Sequence, residues 1–301
     1  MTFESLIENI DDMPPLSDIA RIMQSLYASG IDNVDVRKLV RMIESDVMLT
    51  ANILKMINSP YYGFKNKISS VSQAVTLFGT QKIYGLVIHF AMSNQLKADT
   101  AIYGFNNAQF NEMCILQSSL MMQWYAKVDL RDTHILTSLA LIMESGKLIV
   151  SKELHGSDYL EVYREGFLAC TNIQDFEREF MGTTSYYLSA ILFKHWNLEP
   201  VYAEVLQELD PQEEDEKAIK TKEYVNAILD PNGENKKEEE ANAVIKQYAA
   251  AIDVIRTAVN LKEVLTEESI KKASKKVNEM GLDGERFSVV ALRIKKKYEE
   301  Q

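Results

Sequence analysis

The sequence predicts an all-α protein of two packed helical subdomains, one over residues 1–105 and one over 106–301. Three observations predict it. Apolar residues recur at three- and four-residue spacing along nearly the whole chain, the mark of helices that bury one face. Glycine and proline are scarce, 12 and 6 in 301 residues, whereas hairpin-rich folds use them at every turn. No run alternates apolar and polar residues between Asn-Gly or Asp-Gly turns, so no strand is predicted.

Taken in order, Ile19, Ile22, Met23 and Leu26 form a first stripe, with Pro14 and Pro15 fixing the chain before it. Val36, Leu39, Val40 and Ile43 form a second. Asp46 is placed to N-cap a third helix bearing Leu49, Ile53, Leu54 and Ile57, because its carboxylate suits the orphan amides there. That helix must stop near Asn58, since Pro60 disfavours helix before it and lacks an N–H. Gly63 supplies a turn, and Val71, Ala74, Val75 and Phe78 make a short helix closed by Gly79. Ile83, Leu86, Val87, Phe90 and Ala91 follow at helical spacing, and 110–125 is rich in Leu, Met and aromatics. Residues 134–150 are apolar nearly all round, as in a helix at the centre of a bundle. Tyr186 to Trp196 reads as an amphipathic helix stopped before Pro200.

Residues 210–240 break the composition with two Asp-Pro steps, an Asn-Gly and blocks of acid. They read as a mobile surface excursion with one helical stretch at Tyr224–Leu229; such an acidic block can also dock a basic partner. Thr266 then caps a helix in which Glu267 and Glu268 face Lys271 and Lys272 at i,i+4. Met280–Gly281 ends it, and Asp283 starts a last helix. The basic residues Lys295, Lys296 and Lys297 near its end complement the macrodipole rather than forming a nucleic-acid patch.

The formal charge is −11 and the pI near 5.0, the wrong sign for a general nucleic-acid binder. Cys114 and Cys170 stand too far apart to suggest a metal or redox motif and read as core or half-buried thiols in a reducing compartment. The acidic start lacks the basic and apolar regions of a signal peptide, and no long uninterrupted apolar run suggests a bilayer span. The expectation is a cytoplasmic protein with no cofactor, no membrane contact and no nucleic-acid partner. Phosphate loops, dinucleotide fingerprints, zinc-protease and nucleophile-elbow motifs are all missing. His89, His134, His155 and His195 never fall at i,i+3 or i,i+4 from one another.

Two segments carry a family signal: MPPLSDI at 13–19 and ESDVMLTANILKMINSPYYGFKNKISSVSQAVTLFGTQKI at 44–83. They resemble the HDOD family, the HD-related output domain, through Asp46, Leu49, Thr50, Asn58, Ser59, Tyr62, Gly63, Ala74 and Gly79. Val47 stands where the family has proline. These residues read as structural, with the turn at Asn58–Gly63 as a candidate recognition surface. The resemblance implies that the second subdomain is an HD-like bundle. LALIMESGKLIV at 139–150 is similar to the HD-type His-Asp-Ile-Gly-Lys stretch, which puts Met143 and Glu144 at the His-Asp pair. Met113 and Ser185 fall at two further histidine positions. Methionine and serine do not replace imidazole at a hydrolytic metal, so the resemblance implies a bundle without its metal ligands.

The implied function is non-catalytic bacterial signalling, with a signalling protein as partner and motility or chemotaxis-type control as output. One alternative is a sensor holding a nucleotide or other small molecule in the emptied HD cavity. A metal phosphohydrolase would need a replacement ligand set from Glu144, His134, Asp132 and His195.

Overall fold

The computed structural model describes residues 2–27, 34–212 and 236–300, with side chains from residue 240 onward in the last stretch. Helices α1 (Phe3–Asp11), α2 (Asp18–Tyr27), α3 (Val36–Glu44) and α4 (Val47–Ile57) lead to a 3-10 turn at Pro60–Tyr62. Then come α5 (Val71–Phe78), α6 (Thr80–Leu96), a 3-10 turn at Thr100–Tyr103, α7 (Asn107–Tyr125), α8 (Thr133–Ile142) and α9 (Ser145–Leu154). The chain continues through α10 (Leu160–Ala169), α11 (Ile173–Met181), α12 (Ser185–His195), α13 (Pro200–Leu209), α14 (Lys236–Ala258), α15 (Glu267–Glu279) and α16 (Gly284–Glu299). No strand forms among the described residues, only a single antiparallel bridge between Val259 and Val264. The predicted all-α class is the observed one.

The predicted caps form. Asp46 accepts from the Leu49 amide at 2.9 Å, Thr266 from the Ser269 amide at 3.0 Å, and Asp283 from the Arg286 amide at 2.9 Å. The Thr50 hydroxyl donates to the Ile43 carbonyl at 2.9 Å and ties α4 back to α3. Gly79 has φ +88°, a backbone that suits glycine, and there α5 hands over to α6. Ala74 is buried between these helices.

Asn58 ends α4 and staples the turn behind it. Its Nδ2 donates to the Leu54 carbonyl at 2.7 Å and the Ile68 carbonyl at 2.8 Å, while its Oδ1 accepts from the Ile68 amide at 2.8 Å. The turn then seats on α7. The Tyr61 carbonyl accepts from Ser119 Oγ and Gln123 Nε2, both at 2.6 Å, and the Tyr62 hydroxyl lies 3.2 Å from Ser118 Oγ. Ser59 precedes the turn without a side-chain cap, and Gly63 closes it at φ +75°. Lys297 reaches across from α16 to donate to the Pro60 carbonyl at 2.9 Å. One member of the lysine run therefore anchors two distant segments, beyond its role at the helix end.

Four expectations change. Residues 134–150 form two helices, α8 and α9, broken at Met143–Glu144. By length and composition 133–154 could cross a membrane, but 83% of its most apolar window is buried inside the fold. The 186–196 helix is not amphipathic: Ser185 to Ala190, Leu192 and Phe193 are all buried, so α12 is an internal helix. That helix does stop before Pro200, at His195, and Pro200 is the first residue of α13. Ile22 and Val36, assigned to buried stripes, are 43% and 44% exposed. The 210–240 excursion is too wide at both ends, since Asp210 is buried and helix resumes at Lys236. The stretch Tyr224–Leu229 lies outside the described residues.

The apolar core is continuous from Leu6 to Ile294. The first helix packs on α9 and α12, and α6 packs on α8 and α9. The two halves thus share one interior, and the ends of α9 and α12 lie near its centre.

Candidate functional site

Two of the four residues expected at HD-type positions, Glu144 and Ser185, meet in a buried ionic network, while Met113 and Met143 are buried apolar side chains outside it. The break at Met143–Glu144 puts Glu144 at the N-cap of α9, beside the positive end of that helix. Lys147 follows within the first turn. Both side chains are almost fully buried, and the Lys147 ammonium lies 2.7 Å from Glu144 Oε2 as an ion contact without hydrogen-bond alignment. Glu144 Oε1 accepts from Gln117 Nε2 at 2.7 Å and from the Tyr186 hydroxyl at 2.9 Å. Gln117 belongs to α7, one turn beyond Met113, and also donates to the Val259 carbonyl at 3.0 Å.

Helix α12 completes the other side. Lys147 donates to Ser185 Oγ at 2.8 Å. That hydroxyl donates to Glu177 Oε2 at 2.9 Å, and the same oxygen accepts the Ser185 amide at 2.7 Å. Two carboxylates thus stand at two helix N-termini, with one ammonium between them. Gly146 allows the approach: a Cβ there would meet the Ser185 carbonyl oxygen at 1.8 Å, and its amide donates to Ser189 Oγ at 2.7 Å.

A second layer surrounds this one. The Tyr186 ring lies under the Lys147 ammonium at 4.4 Å and the Arg256 guanidinium at 5.2 Å. Arg256 pairs with Asp210 at 3.1 Å and Asp253 at 2.8 Å, and Arg178 pairs with Asp210 at 2.9 Å. Burial lowers the affinity of Lys147 for its proton, but the Glu144 and Glu177 carboxylates outweigh that and hold its pKa above the ordinary lysine value. Burial raises the Glu177 carboxyl above the ordinary range against the pull of Lys147.

These residues do not fit a metal centre. Met113 and Met143 are buried thioethers, poor donors for hard divalent ions. Ser185 is committed at both its hydroxyl and its amide, and Glu144 already faces an ammonium, two donors and no histidine. Gln117 Oε1 and Glu177 Oε1 are buried acceptors with no partner, yet no group of three His, Cys, Asp or Glu converges among the described residues. A space beside Glu144, next to His89 and Cys114, measures about 10 Å³, room for one water. The alternative ligand set is dispersed. His134 and Asp132 lie at the start of α8, about 12–15 Å by helical rise from its last residue, Ile142, on the side away from Glu144. His195 ends α12, with Nε2 at 3.0 Å from the Met13 carbonyl.

The sequence singled out Met113, Met143, Glu144 and Ser185 through the family resemblance; of the network's other residues, Gln117, Glu177, Tyr186, Asp210 and Arg256 were not singled out. The available signal was Lys147, a charge inside a segment apolar nearly all round.

The HDOD domain family model matches residues 13–210. Solved structures share the fold. A "Putative phosphohydrolase" from Shewanella amazonensis SB2B aligns at TM-score 0.66 and 15% identity over 97% of this chain and 94% of its own. A "Putative signal transduction protein" from Marinobacter aquaeolei VT8 aligns at TM-score 0.63 and 15% identity, over 100% of this chain and 60% of its own. A virulence factor from Campylobacter jejuni subsp. jejuni aligns at TM-score 0.50 and 22% identity over 95% of this chain and 93% of its own. No curated protein matches the sequence significantly.

Proposed function

The chain belongs to the HDOD domain family, and on that premise we propose that it is a non-catalytic signal-transduction regulator that acts by binding a protein partner. The observation that carries the reading is the Lys147 ammonium 2.7 Å from Glu144 in the buried centre. A permanent cation held among committed donors supplies no open position for a water or a phosphoester. The reaction that HD-type ligands perform therefore has no seat there, and a signalling role is left to the surface. The roughly 10 Å³ beside Glu144 favours a protein partner over a nucleotide in the emptied cavity. A cytoplasmic, bacterial, motility-type setting completes the proposal and rests on the family resemblance alone.

The test is affinity capture from the native cell extract, read by quantitative mass spectrometry at low and high salt, beside a phosphodiesterase assay with added Mn²⁺. The reading expects one protein retained near stoichiometry and no metal-dependent turnover. Turnover that disappears in Glu144→Gln would overturn the non-catalytic part. Absence of any enriched protein at both salts would overturn the partner part.

A further inference from the structure

We infer that the space beside Glu144 binds one water molecule, which bridges the His89 imidazole to the Glu144 carboxylate and joins the two halves of the chain at the buried centre. Three helices build the site. His89 comes from α6, Cys114 from α7 and Glu144 from the N-cap of α9, and all three line the space. They are 6%, 2% and 1% exposed, so the site is closed to bulk solvent. Two of them present atoms that the protein leaves bare. His89 Nε2 has no hydrogen-bond partner among the described residues, and Glu144 Oε2 meets the Lys147 ammonium as an ion contact only. A buried polar atom left without a hydrogen bond costs more than ordering one solvent molecule, so such atoms draw water where it fits.

Size, charge and polarity select the occupant. The volume of about 10 Å³ admits a single non-hydrogen atom, too little for a phosphate or any organic ligand. Charge disfavours an ion of either sign: the Glu144 carboxylate repels an anion, and the Lys147 ammonium 2.7 Å away already balances that carboxylate against a cation. A small neutral hydrogen-bond donor is what fits. Water gives one proton to the carboxylate oxygen and meets Nε2 as donor or acceptor, whichever tautomer the imidazole holds. Cys114 offers a third partner, because burial pushes its thiol pKa up and leaves an S–H as a weak donor. About three partners is the usual number for a buried water. Met92 and Phe110 supply apolar wall, and the Ser145 hydroxyl is already engaged, donating to the Ile142 carbonyl at 2.6 Å. The bridge lets α6 fix the carboxylate at the start of α9, so residues before 105 help to set the ionic centre.

The test is a crystal structure of the full chain at a resolution that shows ordered water. The expected map has one isolated peak within about 2.5–3.2 Å of both His89 Nε2 and Glu144 Oε2. An empty space, a peak that reaches only one of the two atoms, or an anomalous signal from a metal ion there would overturn the proposal. Counting long-lived internal waters in solution by oxygen-17 relaxation dispersion gives a second readout. His89→Phe should lose one such water relative to wild type, because its ring carries no polar atom and its extra carbon enters the space. An unchanged count in a variant that still melts as a folded chain would also overturn the bridge. Where that variant fails to fold, the wild-type map decides alone.

Discussion

At the scale of single residues, Lys147 decides how the centre behaves. It is the cation between Glu144 and Glu177, and removing it strands buried carboxylates. Breaking a buried ion pair on one side costs about 3–5 kcal/mol, more than the pair itself contributes. Lys147→Met should therefore lower unfolding free energy by that amount in urea melts, and adding Glu144→Gln should restore part of the loss. A Lys147→Met chain as stable as wild type would mean the ammonium is not needed there. His89 gives a pH-dependent prediction. It is buried with Nε2 unpartnered, and burial pushes its pKa down to about 4 against the hydrogen bonds to Asn111 and the Leu141 backbone. Between pH 6.5 and 4 the unfolded chain takes up a proton that the native imidazole refuses, so stability falls as pH falls through that window. The loss is about 3 kcal/mol when complete. Glu177 acts in the opposite sense, its raised pKa weakening the fold as pH rises above the ordinary carboxyl range. His89→Gln keeps that term and removes the first, so urea melts at pH 7 and pH 4 should show the variant losing less stability than wild type.

At the scale of elements, two junctions hold the site in place. The first is the close crossing of α9 and α12 at Gly146. A methyl there would press on backbone, which cannot rotate away as a side chain can. Gly146→Ala should cost at least about 3 kcal/mol, read by thermal or urea melts, and a neutral effect would show that the crossing is looser than described. The second is the Asn58 staple. Its three hydrogen bonds, at about 0.5–1.5 kcal/mol net each, predict a loss of about 2–4 kcal/mol in Asn58→Ala, with faster amide exchange at Ile68. Caps and stops of this kind were legible in the sequence because they are local: Asp46, Asn58, Gly79, Thr266 and Asp283 act within a few residues of themselves. The break at Met143–Glu144 was passed over although it carried a signal. The polar run Glu144-Ser145-Gly146-Lys147 interrupts the apolar stretch at that point, and the contacts of Glu144 and Lys147 with Gln117, Tyr186 and Ser185 hold the chain where it turns. The internal placement of α12 was hidden, since its serines and tyrosines read as a polar face until their buried partners are known.

At the scale of the whole molecule, the core is shared across residue 105. The packing of α1 on α9 and α12 and of α6 on α8 and α9 predicts one cooperative unfolding transition, with calorimetric and van't Hoff enthalpies in agreement. Two resolved transitions would show the halves to be independent. Family membership and helical class were readable because the motif residues between Asp46 and Gly79 lie close in sequence. The centre was half readable: the sequence pointed to Glu144 and Ser185, while their buried partners are assembled from α7, α9, α11, α12, the end of α13 and α14. The central claim is that the buried centre around Glu144, Lys147 and Ser185 binds no metal ion. Calorimetric titration of the purified full chain with Mn²⁺ and Zn²⁺, with the bound metal then counted by mass spectrometry, tests it most directly. The account predicts no saturable binding of either ion. One tightly bound equivalent that is lost in Glu144→Gln would contradict it.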